Sequence, residues 1–462
     1  MSAISPPAER EKSRRVRKVM SASAIGHFVE WFDFAVYAYA APVIARQFFP
    51  EFDTTAALLS TFAVYSVGFI ARPVGAFLLG GLGDRYGRKK ILAAVILLMG
   101  VATTLIGLLP TYAAIGVAAP ILLVVLRMIQ GLSAAGETIG SNSFVAEHSP
   151  IATRGRNVGI VYTASNLPPV IAALLVLGLT TVLSGEDYES WGWRIPFLLG
   201  APLAIVGLYI RTRVEESPAF LEMRETRQVE SAPIRTVFSE QWRAMLFVFA
   251  MAAVASLGYY SLTGYFYSYM TVTIGLSSQD ALLSNSIALL VTFVTVPLVA
   301  AISDRVGRRR TLLTAMAFSA LVAIPAYLLV STGTLGAAIG AQALLGLALG
   351  AVFGPAGPAY VEMFPARVRY TGASISYNMA FTIFGGTAPL LATSLIAWSG
   401  SSIAPAWYIV TVTVLAFAVL WTMPETSHRS MQDAAPAPDK DRDDQRRQDE
   451  LRDIAAGTPT GH

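Results

Sequence analysis

The sequence predicts an all-α integral membrane protein with twelve transmembrane helices arranged as two six-helix bundles. Three observations predict it. Of 462 residues, 54% are hydrophobic and only 14% charged, with a mean hydropathy of +0.55, which is membrane-protein composition. Twelve segments reach the roughly 20 mostly apolar residues that a helix needs to cross a bilayer. Finally, the stretch Gly81-Leu82-Gly83-Asp84-Arg85-Tyr86-Gly87-Arg88-Lys89-Lys90 returns in degraded form at Ala301-Ile302-Ser303-Asp304-Arg305-Val306-Gly307-Arg308-Arg309-Arg310. One such motif is a weak signal; two, each between long apolar segments, mark two copies of one plan.

Residues 1–19 are polar and basic and are expected as an N-terminal tail. The next segment is longer than a signal-peptide core, carries charges and lacks a small-residue cleavage site, so it reads as an uncleaved first span. The spans fall at 20–45, 55–82, 91–110, 114–144, 157–183, 194–212, 243–270, 281–302, 311–331, 335–362, 371–398 and 406–423. Several exceed the minimum, which implies tilt or projecting ends. The halves are thus 20–213 and 243–424, joined by a Glu- and Arg-rich loop over 214–242. The tail 425–462, rich in Asp, Arg, Gln and Pro, reads as disordered. A second echo supports the repeat: Glu147-His148-Ser149-Pro150 leading to Arg154-Gly155-Arg156 matches Glu362-Met363-Phe364-Pro365 leading to Arg367-Val368-Arg369. A weaker third sets Glu216-Ser217-Pro218 against Pro424-Glu425-Thr426.

Orientation comes from the bases, because loops rich in Lys and Arg stay cytoplasmic. All of the 34 Lys and Arg except Arg46, Arg72, Arg127 and Arg194 lie in the two tails and in alternate loops. Both termini are therefore expected in the cytoplasm.

Charges inside spans carry the chemistry, since each costs on the order of 3 kcal/mol at mid-bilayer unless paired or hydrated. His27, Glu30 and Asp33 are spaced by three on the first span and share one broad helix face. Two carboxylates in a low dielectric, with an arginine nearby, suit proton coupling, and Glu137 on span four joins them as a coupling candidate. Arg72 lies on span two, and Arg127 heads a polar stripe with Gln130, Ala134 and Glu137 on span four. Either Arg127, with Arg72, holds an anionic group of a substrate through the guanidinium fork, or both are internal counter-ions of the carboxylates. Tyr37 is placed with the substrate candidates. No span of the second half has a basic residue near its centre; it offers Tyr259, Tyr260, Tyr265, Tyr267 and Tyr269 on span seven, and Tyr377, Asn378 and Thr382 on span eleven. Of these, Tyr377 and Asn378 are the substrate candidates. The repeated motif, Asp84, Arg85, Gly87 and Arg88 with Asp304, Arg305 and Arg308, reads as a conformational latch. A carboxylate at a helix end meets a helix N-terminus or an arginine in one state and loses it in the other.

Other classes are disfavoured. The chain has no Walker A loop, no G-x-S-x-G and no H-E-x-x-H, so it does not read as an enzyme or an ATP-driven pump. With no cysteine and four scattered histidines, no metal site or cofactor is expected. Its bases sit in short loops rather than on a stripe interleaved with aromatics, which argues against nucleic acid.

Several stretches resemble a known family: Gly26-His27-Phe28-Val29-Glu30-Trp31-Phe32-Asp33-Phe34, Phe48-Phe49-Pro50, Gly68-Phe69-Ile70-Ala71-Arg72-Pro73-Val74-Gly75, Arg127-Met128-Ile129-Gln130-Gly131, Trp191-Gly192-Trp193-Arg194-Ile195-Pro196-Phe197 and Glu362-Met363-Phe364-Pro365-Ala366-Arg367-Val368-Arg369. Together they are similar to the metabolite:proton symporter family of the major facilitator superfamily, over nearly the whole chain. The resemblance implies parallel six-span repeats around a midplane site. It also implies a bacterial inner-membrane symporter, acting as a monomer, that imports a small organic acid or zwitterion with protons. Two departures bear on the substrate: His27 stands where relatives often have Asn, and Leu132-Ser133-Ala134-Ala135-Gly136-Glu137 replaces a Gly-Gly-Glu pattern. The competing reading is a proton-driven efflux antiporter. Antiporters of the superfamily resemble one another in a Gly-Pro-Gly-Gly signature in span five, where this chain has Ser165-Asn166-Leu167-Pro168-Pro169.

Overall fold

The computed structural model describes residues 6–50, 54–213, 215, 216, 218–225 and 233–431. Eleven of its helices are long and apolar enough to span a membrane, and Ala404–Leu420 is a shorter apolar helix of 17 residues, at the lower limit for a span. They give the twelve elements expected. The first half comprises α1 (Pro6–Phe48), α2 (Thr54–Tyr86), α3 (Arg88–Leu108), α4 (Ala118–His148), α5 (Arg154–Thr163 resuming as Leu167–Val182) and α6 (Gly200–Thr212). The second comprises α7 (Trp242–Tyr260), α8 (Ser278–Val306), α9 (Arg308–Val330), α10 (Leu335–Glu362), α11 (Arg369–Ala380 resuming as Ala388–Ser399) and α12 (Ala404–Leu420).

Three expectations change. From Pro6 onward the N-terminal tail is helical and continuous with α1. The central loop carries the helices Pro218–Glu225 and Pro233–Glu240. The start of the C-terminal tail is packed: Thr426, Ser427 and Met431 are buried. Residues 432–462, expected to be disordered, lie outside the described residues.

Equivalent helices break at equivalent places. Pro168 and Pro169 lack the amide hydrogens that would continue α5, and a tight turn at Ala164–Asn166 takes up the change. In α11 a π-turn spans Phe381–Gly385, just before Pro389. The α7 helix likewise runs into π-turns at Ser261–Tyr265 and Tyr269–Ile274. Such turns are frequent at functional sites because they re-aim side chains.

Within each half, one helix pair approaches closely through a glycine, as small residues permit in membranes. A Cβ on Gly131 of α4 would lie 2.1 Å from the Gly68 carbonyl oxygen of α2, and one on Gly346 of α10 would lie 2.4 Å from the Ala288 carbonyl oxygen of α8. Gly131→Ala should therefore force α2 and α4 apart, costing about 1–3 kcal/mol. The check is the unfolding midpoint of the detergent-solubilised protein; an unchanged midpoint would show that the helices shift freely. Between the halves, α2 packs against α11 and α5 against α8. These two contacts are related by the internal repeat.

Candidate functional site

The centre of the first half holds two buried ion pairs. Glu30 and Asp33 are one turn apart on α1, so their side chains leave the same face toward different neighbours. Glu30 accepts from Arg72 Nη2 at 3.3 Å and from the Thr138 hydroxyl at 2.9 Å. Asp33 lies 3.5 Å from Arg127 Nη1 through Oδ2, while Oδ1 accepts from the Thr103 hydroxyl at 2.7 Å and from the Gln130 amide. All four ionised groups are at most 1% exposed. Gln130 links the pieces, its amide oxygen accepting from Arg127 at 2.8 Å.

Aromatic rings clamp both guanidinium groups. Arg72 lies 4.7 Å from the Phe34 ring centre and 5.1 Å from Phe69; Arg127 lies 4.3 Å from Tyr37, 4.9 Å from Phe34 and 5.2 Å from Tyr65. Cations over ring faces gain about 2 kcal/mol when desolvated, which helps to hold these charges out of water. Both arginines keep donors uncommitted: Nε and Nη1 of Arg72, and Nε and Nη2 of Arg127, meet no protein acceptor among the described residues.

The counter-ion role foreseen for the arginines is thus realised in the geometry, while the uncommitted donors leave the anion role available. Tyr37 packs on Arg127 and donates to the Thr61 carbonyl at 3.2 Å. His27 Nδ1 is 2.9 Å from the Ser165 hydroxyl, and Glu137 accepts from Ser141 at 2.6 Å. Glu137 thus lies in the same polar core, near Glu30.

The second half faces this core with rings and neutral groups. Tyr259 meets Trp31 at 4.9 Å between ring centres, Tyr260 meets Phe69 at 5.3 Å, and Phe353 meets Tyr162 at 5.1 Å. The Tyr377 and Tyr162 hydroxyls are 3.2 Å apart across the interface, and the Asn378 amide donates to the Ala135 carbonyl at 2.9 Å. Tyr377 and Asn378 were legible as candidates; Trp31, Thr103, Thr138, Tyr162 and Phe353 were not. Neutral and apolar residues in an apolar sequence carry no signal until the helices are packed.

A second site lies at the end of the molecule that carries the motif loops. Asp84, at the end of α2, accepts from the Tyr370 and Thr371 backbone amides at 3.2 and 2.8 Å, capping α11 of the other half. Asp304, at the end of α8, accepts from Gly155 and Arg156 at 2.8 and 2.9 Å, capping α5. A carboxylate on free helix amides offsets the positive end of the helix dipole. Each cap joins the two halves.

The glycine of the motif has its own reason. Gly87 and Gly307 take φ of 98° and 106°, a region that strains residues with a Cβ. A Cβ there would meet Glu216 or Glu425 at 2.4 or 2.3 Å. Those glutamates cap the next helices, Glu216 on the Lys89 amide at 3.2 Å and Glu425 on the Arg308 and Arg309 amides at 2.7 and 3.2 Å. Partial burial would raise the Glu425 pKa, but amide hydrogen bonds from Ser427, Arg308 and Arg309 outweigh it and hold the carboxyl below its usual 4.5.

Around these caps the weaker echoes of the repeat become an ionic clasp. Arg308 donates to Asp304 at 2.7 Å and to Glu362 at 3.1 Å; Arg154 donates to Glu362 at 3.1 Å; Arg369 donates to Glu147 at 2.5 Å. The Arg154–Glu362 and Arg369–Glu147 pairs cross between halves. Of the latch candidates, Asp84, Gly87, Asp304 and Arg308 take part. Arg85 and Arg305 are exposed, with Arg85 over the Tyr86 ring, and the Arg88 side chain lies outside the described residues. In the sequence Glu147, Arg154, Glu362 and Arg369 stand only as repeat markers; the recurring acid followed by Arg-x-Arg was the signal that could have found the clasp.

Two pseudo-symmetric six-helix bundles, with paired buried charges at the centre of the first and an ionic clasp joining the two at one end, define a multi-pass transporter of the alternating-access type. A family model for the Major Facilitator Superfamily matches residues 23–377 and 286–441. The chain is 34% identical over 432 residues to the proline/betaine transporter of Salmonella typhimurium, covering 92% of this chain and 86% of that one. It is 34% identical to the ectoine/proline transporter ProP of Corynebacterium glutamicum, covering 92% and 87%. It is 37% identical to the inner membrane metabolite transport protein YhjE of Escherichia coli, covering 90% and 95%. The fold is shared with the solved proton:xylose symporter XylE, at a TM-score of 0.76, 18% identity and coverage of 91% and 98%. The chain belongs to the major facilitator superfamily and, within it, to the metabolite:proton symporter family.

Proposed function

We propose that the protein imports a small zwitterionic metabolite together with protons. The observation that carries this reading is the contrast across the central interface. One wall holds the Glu30–Arg72 and Asp33–Arg127 pairs; the other has no charged residue near its middle and presents Tyr259, Tyr260, Phe353 and Tyr377.

A substrate carboxylate approaching Arg72 competes with Glu30 for the same cation. Protonation of Glu30 relieves that competition, so the substrate anion and the proton enter with the site's charge unchanged. Asp33 and Arg127, bridged by Gln130, form a second such pair, and His27 and Glu137 lie in the same polar core as auxiliary proton groups. Tyr37 shapes the Arg127 side, while Asn378 and Tyr377 supply neutral donors. A dicarboxylate would bring a second anion that the aromatic wall has no cation to meet. An ammonium group, by contrast, suits the faces of Trp31 and Tyr259. The transporters of proline, betaine and ectoine among the relatives support this choice over a plain organic acid.

The motif end is the cytoplasmic face, by its bases, with both termini there and the protein in the bacterial inner membrane as a monomer. The Asp84 and Asp304 caps act as the latch, with Arg308 and the two motif glycines: made in the state closed to the cytoplasm and broken as the halves rock apart. The helices Pro218–Glu225 and Pro233–Glu240 between the bundles lie along that face.

Purified protein in liposomes, tested with carboxylates and betaines, checks this. Addition of a betaine or an imino acid should draw protons inward with it, and a dicarboxylate should not. Proton movement opposite to the compound would replace import by antiport; proton entry with dicarboxylates alone would overturn the zwitterion.

A further inference from the structure

After α12 the chain continues from Pro424 into the clasp. Glu425 caps α9 through the Arg308 and Arg309 amides, and the Thr426 hydroxyl donates to Glu362 at 2.8 Å. The repeat explains this much, since Glu216 does the same for α3 in the first half. The path of the next residues has no counterpart there. Beyond Glu216 the chain enters the helix Pro218–Glu225, whereas beyond Ser427 it remains in the seam between the halves. Arg154 of α5 donates through Nη2 to the Arg429 carbonyl at 2.8 Å. Arg369 of α11 donates to the Met431 carbonyl. Ser427 and Met431 are 1% and 8% exposed, so this end of the chain is packed rather than laid on the surface.

The two guanidinium groups that cross between the halves therefore each give their Nη2 donor to one backbone segment. Arg154 donates to Glu362 and to the Arg429 carbonyl, its Nε meeting no acceptor among the described residues; Arg369 donates to Glu147 and the Met431 carbonyl, and through Nε to the Val361 and Phe364 carbonyls of its own half. Hydrogen bonds from a charged donor are about twice as strong as neutral ones, and a buried guanidinium left short of acceptors is costly.

We propose that residues 424–431 are a strap that locks the basic face in its closed state, accepting from Nη2 of both Arg154 and Arg369 and leaving the seam when the halves part. Opening that face carries α5 away from α8 and α10. The strap, anchored to the second half at Glu425, then loses Arg154, and the equilibrium between states depends on whether the strap is seated. The segment joins the moving clasp directly to the tail 432–462, so whatever pulls on that tail acts on the conformational equilibrium. This holds whichever way substrate is carried.

The chain has no cysteine, so one introduced thiol reports accessibility without background. Ser374 is buried on α11, four residues from both Tyr370 and Asn378, which hydrogen-bond to Gly136 and Ala135 of α4. It therefore faces the other half. In purified protein, the rate at which a maleimide labels Ser374→Cys should rise about tenfold when Met431→Glu drives the strap end out, and equally when the chain ends after Ser427, which keeps the Glu425 cap. A chain ending after Ala435 should label at the parent rate. Ala172→Cys, buried inside the first bundle, should not respond in any of them. Parent-rate labelling in both strap variants would overturn the proposal, as would an equal rise in the chain ending after Ala435. A parallel rise at Ala172→Cys would also overturn it, by showing unfolding in place of opening.

Discussion

Asp33→Asn is expected to abolish uphill uptake while sparing substrate exchange. A gradient of one pH unit is worth about 1.4 kcal/mol per proton and sustains about a tenfold accumulation. The amide carries no titrating proton, so in proteoliposomes this variant should fill only to the external concentration. The physical reason lies in the neighbourhood of Asp33. Its carboxylate is 1% exposed, faces Arg127 at 3.5 Å and accepts from Thr103 and Gln130, so its proton is exchanged with one partner network rather than with bulk water. The same change strips Arg127 of its anion. An unpaired buried charge costs about 3–5 kcal/mol, and the unfolding midpoint should fall accordingly. Adding Arg127→Gln should restore most of the midpoint, because it removes the stranded charge, without restoring accumulation. If accumulation returns with the second substitution, Asp33 serves structure alone and coupling belongs to Glu30.

Glu362→Gln should open the basic face. Glu362 accepts from Arg154 and Arg308, each at 3.1 Å, and from Thr426 at 2.8 Å, at 6% exposure. Gln keeps the shape but is neutral and turns an amide NH2, a donor, toward two guanidinium groups. Losing the anion from such a cluster costs about 3–5 kcal/mol, and that cost falls on the closed state alone, because rocking open would hydrate both arginines. About 5.5 kcal/mol suffices to invert a two-state population from 1:99 to 99:1, so a shift visible in any distance measurement is expected. Spin labels at Arg85→Cys and Arg305→Cys, exposed positions on the two halves, should move apart in the Glu362→Gln background. An unchanged distance distribution would mean that the Asp84 and Asp304 caps hold the face without the clasp.

The architecture was legible before any packing was known. A helix in lipid must satisfy its own backbone, so length and hydropathy announce each span one at a time, with no knowledge of its neighbours. The repeat needed only comparison of the chain with itself. Buried charges were equally legible: Glu30, Asp33, Arg72 and Arg127 stand out because any ionised group in an apolar run is expensive.

The partners of those charges came from helix packing. Glu30 and Asp33 are three residues apart, yet Arg72 and Arg127 divide them through the way α2 and α4 cross α1, a crossing set by Gly68 against Gly131. Order in the first residues of α1 and at the start of the C-terminal tail was hidden for a related reason. Polar composition marks a segment as outside the bilayer but does not say whether it is ordered, and residues 424–431 are held by guanidinium groups supplied from α5 and α11. Of the aromatic wall Tyr377 was legible, but Phe353 was not, and Tyr259 and Tyr260 could not be told from the other tyrosines of span seven, since a tyrosine facing lipid and one facing a charge look alike in an apolar sequence. Span identity is a local property of solvation, whereas pairing between charges far apart in the chain exists only once the two halves meet.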